Sequence, residues 1–173
     1  FLTKQGLIEK TAKPNKEQLE RNLNAINTFK QNYPELNVGF VTAPNAVSIK
    51  KEYLPKYAVT LNQDKQMDNI YSKLDDSIVK IDLRNTLKKH KDEYLYYKTD
   101  HHWTSLASYY AYQDIAKTFN LETTKQSELY NISSHDKLEG TLANKTGSVN
   151  IKDEIDIYVP KINAITSSQT NST

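Results

Sequence analysis

The first long periodic run follows Pro14. Leu19, Leu23, Ile26, Phe29 and Tyr33 recur at helical spacing, while Glu17, Glu20, Arg21, Asn24 and Lys30 fall opposite, which predicts an amphipathic helix with one buried stripe. Asn15 reads as its N-cap with Gln18 three residues on, and Pro34 as its stop. Residues 37–43 (NVGFVTA) are short, apolar and β-branched between turn formers, as in a buried strand. Pro44-Asn45 breaks that strand, leaving Thr42 and Asn45 near a sheet's carboxyl edge, where they either line a site or form a plain turn. One helical turn is expected over 46–51, a loop over 53–57, and a second helix over 62–75 with Met67, Ile70, Tyr71 and Leu74 on one side. Residues 78–83 (IVKIDL) read as a second buried strand, with Asp82 capping the segment after it. A short helix over 84–92, a third short strand over 93–98 and a third helix over 104–119 complete the patterned part. Thr104 is the natural N-cap of that last helix and Asn120 its C-terminal cap; Leu106 or Ala107, Tyr110 or Ala111, Ile115 and Phe119 mark its buried stripe. Ahead of all these, Phe1-Leu2 and Leu7-Ile8 flank Gly6 as a small hairpin.

The pattern weakens after Glu122. Residues 131–136 are polar, Gly140-Thr141 and Lys145-Thr146-Gly147 punctuate two turns, and residues 155–159 alternate like a half-exposed strand. Residues 166–173 (TSSQTNST) have nothing to pack and read as a tail, a linker or a truncation point. Helices alternating with strands argue for an α/β sandwich with a largely parallel sheet, one domain over 1–165.

Composition changes this picture only by exclusion. With 173 residues the chain is one domain's length and can bury a substantial core. The net charge of +2 is too small, and the lysines too dispersed, to argue for nucleic acid. The count of 0 cysteines removes disulfides, zinc–thiolate sites and a cysteine nucleophile together. No apolar run approaches the roughly 18 residues of a membrane span. The first residue is Phe1 rather than Met, so a processed or trimmed start, with a targeting segment lost, is expected.

The chemistry concentrates in Thr99-Asp100-His101-His102-Trp103-Thr104-Ser105, where an extended Tyr94-Leu95-Tyr96-Tyr97 segment meets the third helix. If that stretch is extended, residues 100 and 102 point the same way and His101 turns to the other side. Asp100 and His102 are then the better pair: the carboxylate orients the imidazole, which serves as general base. Trp103 would wedge into the core or wall a pocket. Three readings stand side by side: a polar turn with satisfied histidines, a catalytic dyad, and a metal site built from Asp100, His102 and a remote His135 or Asp136. Adjacent His101 and His102 are not expected to chelate one ion. His90, in Lys88-Lys89-His90-Lys91, reads as part of a solvated basic run.

Residues 96–106 (YYKTDHHWTSL) resemble the hallmark of the DHHW protein family, itself similar to the SGNH-hydrolase-like proteins of alginate O-acetylation. Weaker matches accompany it: residues 15–33 to the family's first helix, 53–58 to a family loop, Gly140-Thr141-Leu142 with Lys145-Thr146-Gly147 to a Gly-Thr segment, and 153–158 to the strand after it. The resemblance implies a three-layer α/β/α, flavodoxin-like fold, incomplete at its C-terminal end, in a protein that is extracellular or membrane-anchored on the outer face. It implies acetyl transfer or ester hydrolysis at a carbohydrate hydroxyl, with polysaccharide as substrate, envelope assembly proteins as partners, and no cofactor or metal. Asp100 and His102 would be triad members, and His101, Trp103, Asn45 and Tyr97 would contact substrate. In such relatives the nucleophilic serine lies well downstream of the motif. Ser48, Ser105, Ser108 and Ser148 are the internal candidates, and none occupies a nucleophile turn. Either the serine lies outside this chain or this member is not a serine hydrolase. A non-catalytic carbohydrate-binding or assembly protein, using its 12 tyrosines for stacking, and a metal-dependent hydrolase are the alternatives.

Overall fold

The structure, a computed structural model, describes residues 1–147 and 150–161. Its first helix, α1 (Lys16–Asn32), begins as the local chemistry requires, with the Asn15 side chain accepting from the Gln18 N–H at 3.0 Å. Leu23 is buried and packs with Met67, Tyr71, Leu74 and Ile78. The stripe departs from expectation at its C-terminal end. Phe29 and Tyr33 are exposed, whereas Lys30, assigned to the polar face, is buried because its ammonium donates to the carbonyls of Pro34 and Leu36 at 2.8 Å each. The amine thus caps the turn that Pro34 forces.

The expected N-terminal hairpin forms from β1 (Leu2–Thr3) and β2 (Gly6–Leu7). Strands β3 (Gly39–Thr42) and β4 (Val79–Asp82) pair in parallel, Gly39 opposite Val79 and Thr42 opposite Asp82. They are not buried on both faces as expected: Val41 and Val79 are exposed, and only Ile81 lies in the core. Between them run α2 (Ala46–Ile49), a 3₁₀ turn (Lys51–Tyr53) and α3 (Gln63–Tyr71), which ends earlier than its apolar spacing suggested and leaves Leu74 buried in the turn beyond. Asp82 caps as expected: it accepts from the Arg84 N–H at 3.0 Å at the start of α4 (Arg84–Lys89) and also holds the Arg84 guanidinium. His90 is not simply solvated; its ring stacks on Tyr110 at 4.0 Å and bonds Glu93 at 2.6 Å.

Residues 93–98 do not form a third strand. Thr104 N–H donates to Leu95 O at 2.9 Å, Tyr97 N–H to His102 O at 3.3 Å, and Tyr96 bridges Trp103. The segment folds back on its own motif, so its backbone groups are satisfied without joining a sheet. Helix α5 (Ser105–Thr118) follows with Thr104 as N-cap, and Asn120 takes the left-handed conformation (φ 53°) just beyond it. Ala107 and Ala111 lie fully inside, with Leu83, Leu87, Leu95 and Tyr96 around them.

The weakly patterned C-terminal third is more ordered than its sequence suggested. After α6 (Gln126–Leu129), the polar run becomes strand β5 (Tyr130–Leu138), paired antiparallel with β6 (Asp153–Pro160). Residues 131–135 are exposed on both faces of the strand, so the apolar alternation that marks half-buried strands is faint. Instead of two turns, residues 140–147 build α7 (Thr141–Thr146), ended by Gly147 at φ 66°. Among the described residues the parallel pairing is confined to β3–β4, the other two sheets being antiparallel. Ser148 and the tail over 166–173 lie outside the described residues.

Candidate active site

The motif loop is held from three directions. Thr99 is fully buried: its carbonyl accepts from Leu142 N–H at 2.9 Å and Ala143 N–H at 3.1 Å, and its hydroxyl oxygen accepts from Gly140 N–H at 2.8 Å. Asp153, at the start of β6, is buried beneath it. Its carboxylate accepts from Lys98 N–H at 2.5 Å, Thr99 N–H at 2.7 Å, the Thr99 hydroxyl and the Tyr94 hydroxyl. Burial first, and then this carboxylate, push the Tyr94 phenol well above its ordinary range, so Tyr94 remains a donor. From the third side, Leu7 N–H donates to Lys98 O at 2.6 Å.

These anchors present Asp100, which is turned back on its own chain. Its Oδ1 accepts from His102 N–H at 2.9 Å and lies 2.6 Å from His102 Nδ1. Its Oδ2 accepts from the Thr141 N–H and hydroxyl, each at 2.9 Å. Partial burial alone would raise the Asp100 carboxyl, but the Thr141 and His102 donors outweigh it and hold the group far below the usual carboxylate range. An ionised carboxylate only accepts, so His102 Nδ1 carries the proton in this contact. The His102 side chain is 66% exposed while Asp100 is 12% exposed, so the imidazole faces outward and the carboxylate faces in.

The expected pair is therefore formed, but not by strand geometry. Because the chain turns at Asp100, His101 lies on the same side; its ring centroid is 3.9 Å from that of His102, and its Nδ1 is 2.9 Å from Thr141 Oγ1. A cleft of ≈ 180 Å³ opens beside the pair, lined by Ala43, Pro44, Asn45, Tyr96, His101, His102 and Trp103. Asn45 thus lies in the wall of the cleft beside the motif. Thr42 does not, its hydroxyl being engaged with Tyr71 at 2.8 Å. Tyr97 does not line this cleft either: its ring meets Tyr94 edge-on at 6.1 Å. Trp103 both walls the cleft and packs on the core. Thr141, Asp153 and Gly140 were missed as site-builders. The Gly-Thr dipeptide was the available signal: it reads as a turn and resembles a family segment, and neither reading assigns it a partner in the motif.

Asp100, His101 and His102 each offer a ligand atom within 4.8 Å of the others, so the adjacent histidines do converge, contrary to expectation. The trio is still a poor fit for a metal. Both Asp100 oxygens already accept two hydrogen bonds each, and binding an ion would break them. His135 is exposed on β5 and is not among the converging residues; the Asp136 side chain lies outside the described residues.

Gly140 is required by close approach. A Cβ there would lie 2.5 Å from Asp100 Cβ and 2.7 Å from Thr99 O. Gly140→Ala is expected to displace Thr141 from Asp100 and cost about 1–3 kcal/mol. Thermal unfolding reads the cost, and a variant as stable as wild type would contradict the contact.

The family described as "SGNH hydrolase-like domain, acetyltransferase AlgX" matches residues 1–171. Among solved structures, a DHHW family protein from Eubacterium siraeum is similar at 25% identity and a TM-score of 0.73, over 82% of this chain and 48% of that one. Bacillus cereus PatB1 shares the fold at 20% identity and a TM-score of 0.71, over 93% of this chain and 58% of its own; the same protein is also known with a sulfonyl adduct. The O-acetyltransferase domain of Pseudomonas putida AlgJ shares it at 16% identity and a TM-score of 0.64, over 91% of this chain and 64% of that one. The chain therefore spans about half to two thirds of the length of these structures. No curated protein sequence matches it.

Proposed function

The chain belongs to the family of SGNH hydrolase-like domains that includes the acetyltransferase AlgX, and on that premise we propose that it carries the acid–base half of a site for O-acyl ester chemistry at a carbohydrate hydroxyl. The observation that supports this most is the 2.6 Å contact between Asp100 and His102 Nδ1, with Asp100 fixed by Thr141 and His102 turned outward. In the proposed reaction, His102 Nε2 takes the proton of a serine hydroxyl as its Oγ attacks the acyl carbonyl carbon. The positive charge this creates on the ring sits against Asp100. His102 then returns the proton to the departing oxygen, leaving an acyl-serine. In the second half, His102 deprotonates a sugar hydroxyl, giving transfer, or a water, giving hydrolysis; that oxygen attacks the acyl carbonyl carbon, the bond to the serine Oγ breaks, and His102 returns the proton to the Oγ.

The serine is proposed to come from outside this chain. Ser48 is buried and donates to Asp64 at 2.7 Å, and Ser105 donates to Asp156 O at 3.1 Å. Ser108 lies exposed on α5. The proposal also places the protein at the cell envelope, with polysaccharide as substrate and assembly proteins as partners, in keeping with the acetyltransferases it resembles. Among the described residues no helix is long and apolar enough to cross a membrane.

The test is made on the full-length protein with p-nitrophenyl acetate as acyl donor. His102→Ala is expected to lower turnover by at least about 10³-fold, the scale of losing a triad base. Labelling by phenylmethylsulfonyl fluoride is expected to fall with it, since both need the deprotonated serine. Wild-type turnover in His102→Ala would overturn the reading.

A further inference from the structure

A second, larger cleft lies between α5 and the β5–β6 hairpin. It encloses ≈ 380 Å³ and is lined by Ser105, Ser108, Tyr109, Tyr112, Tyr130 and Tyr158. That volume is within the usual range of small-molecule sites, about 300–1,000 Å³. Its two walls are built independently. On α5, positions 105, 108, 109 and 112 fall at i, i+3, i+4 and i+7, a single helical face opposite the buried Ala107 and Ala111. On the hairpin, Tyr158 is paired with Ile132 and Tyr130 with Pro160, so the two tyrosines share one face of the ribbon as a diagonal pair.

Each wall carries an aromatic pair. Tyr109 and Tyr112 have ring centroids 6.0 Å apart, and Tyr130 and Tyr158 5.5 Å apart. Two of the rings are fixed through their hydroxyls: Tyr109 donates to Thr124 O at 3.1 Å and accepts from Gln113, and Tyr158 accepts from Gln126. Ser108 and Tyr112 add exposed hydroxyls at the rim. The cleft therefore offers flat apolar faces bordered by hydroxyl groups. That combination suits a pyranose, whose C–H face stacks on an aromatic ring while its rim of hydroxyls hydrogen-bonds outward.

The lining contains neither a Lys nor an Arg side chain. An acid stands beside the Tyr158 ring: burial, and then the Asp156 carboxylate, push the Tyr158 phenol upward. A uronate chain would meet no Lys or Arg among the described lining residues and would face the Asp156 carboxylate beside Tyr158. Ser105, which lines the cleft, follows the Thr104 cap and lies three residues after His102 in the chain.

We propose that this tyrosine cleft is the binding site for a neutral hexopyranose chain, the acceptor for the chemistry at His102. The choice of a carbohydrate rests on the function proposed above; the choice of a neutral one rests on the cleft alone. The experiment is calorimetric titration of the protein with cellotetraose and chitotetraose as neutral probes and with tetramannuronate as the anionic one. Saturable binding of a neutral probe is expected. Tyr112→Ala, at an exposed position, should weaken it roughly tenfold, the equivalent of about 1.4 kcal/mol, and Tyr112→Phe should restore most of it. Tyr57→Ala, at a tyrosine 84% exposed elsewhere, should leave it unchanged.

Preference for tetramannuronate, no saturable binding of either neutral probe, or equal sensitivity to Tyr57→Ala would each overturn the proposal. Binding should persist in His102→Ala. If acyl turnover depends on His102 but no neutral probe binds, the cleft assignment falls and the proposed chemistry stands. If Tyr112-dependent binding is present while turnover ignores His102, the reverse holds.

Discussion

Asp153→Ala is expected to be the most damaging single substitution away from the reacting groups. Its carboxylate is the common acceptor for Tyr94, the Lys98 and Thr99 N–H groups and the Thr99 hydroxyl, all beneath the motif. Removing it strands several buried donors, each costing about 1–3 kcal/mol when unpaired. Since such losses overlap, a total of about 3–5 kcal/mol is the reasonable scale, comparable to breaking a buried ion pair. That is a large share of the roughly 5–15 kcal/mol that holds a domain folded, and it corresponds to a fall in Tm of about 10 °C for a domain of this size. Tyr94→Phe removes only one donor and should cost about 1 kcal/mol. Thermal unfolding of both variants measures the difference. An Asp153→Ala protein within about 1 kcal/mol of wild type would mean that the motif is held by something other than this carboxylate.

Asp100→Asn should have the largest effect on activity while leaving the shape of the site nearly intact. An amide can still accept from one neighbour, but its NH₂ must face either the Thr141 N–H or His102 Nδ1. Facing His102, it would make Nδ1 the acceptor and put the proton on Nε2, the wrong tautomer for a base. A loss of about 10⁴-fold in turnover is the scale of such an exchange in a triad. Turnover of full-length Asp100→Asn within threefold of wild type would sink the orienting role.

The same variant separates a pH effect. Asp100 has a depressed carboxyl in the folded protein, so its stabilising contribution is fully present above the ordinary carboxylate value near 4. It is lost as the pH falls from there through the folded value. Acid unfolding of wild type should therefore contain a component that Asp100→Asn lacks, with both proteins responding alike above pH 5.

The helices were legible where local chemistry decides. Asn15 and Thr104 cap α1 and α5 because a side-chain oxygen three residues ahead of an N–H needs no distant partner. The pairing of Asp100 with His102 was also legible, since only one residue separates them. The orientation of His101 was not: whether 98–102 runs straight or turns depends on Asp153 and Thr141, 54 and 41 residues away from the residues they hold. The same holds for the buried Lys30, whose partners are carbonyls of a turn, and for β5, whose polar face is solvated and whose pairing is supplied by β6.

The sequence by itself determined the caps, the main periodic helices and the pairing of Asp100 with His102, because each depends on residues close along the chain or on a periodic apolar stripe. Only the tertiary structure decided how that pair is aimed. The motif is a loop without regular structure of its own, and its shape is set by hydrogen bonds to its buried backbone. The donors and acceptors for those bonds arrive from β2, α7 and β6 only once the chain has folded.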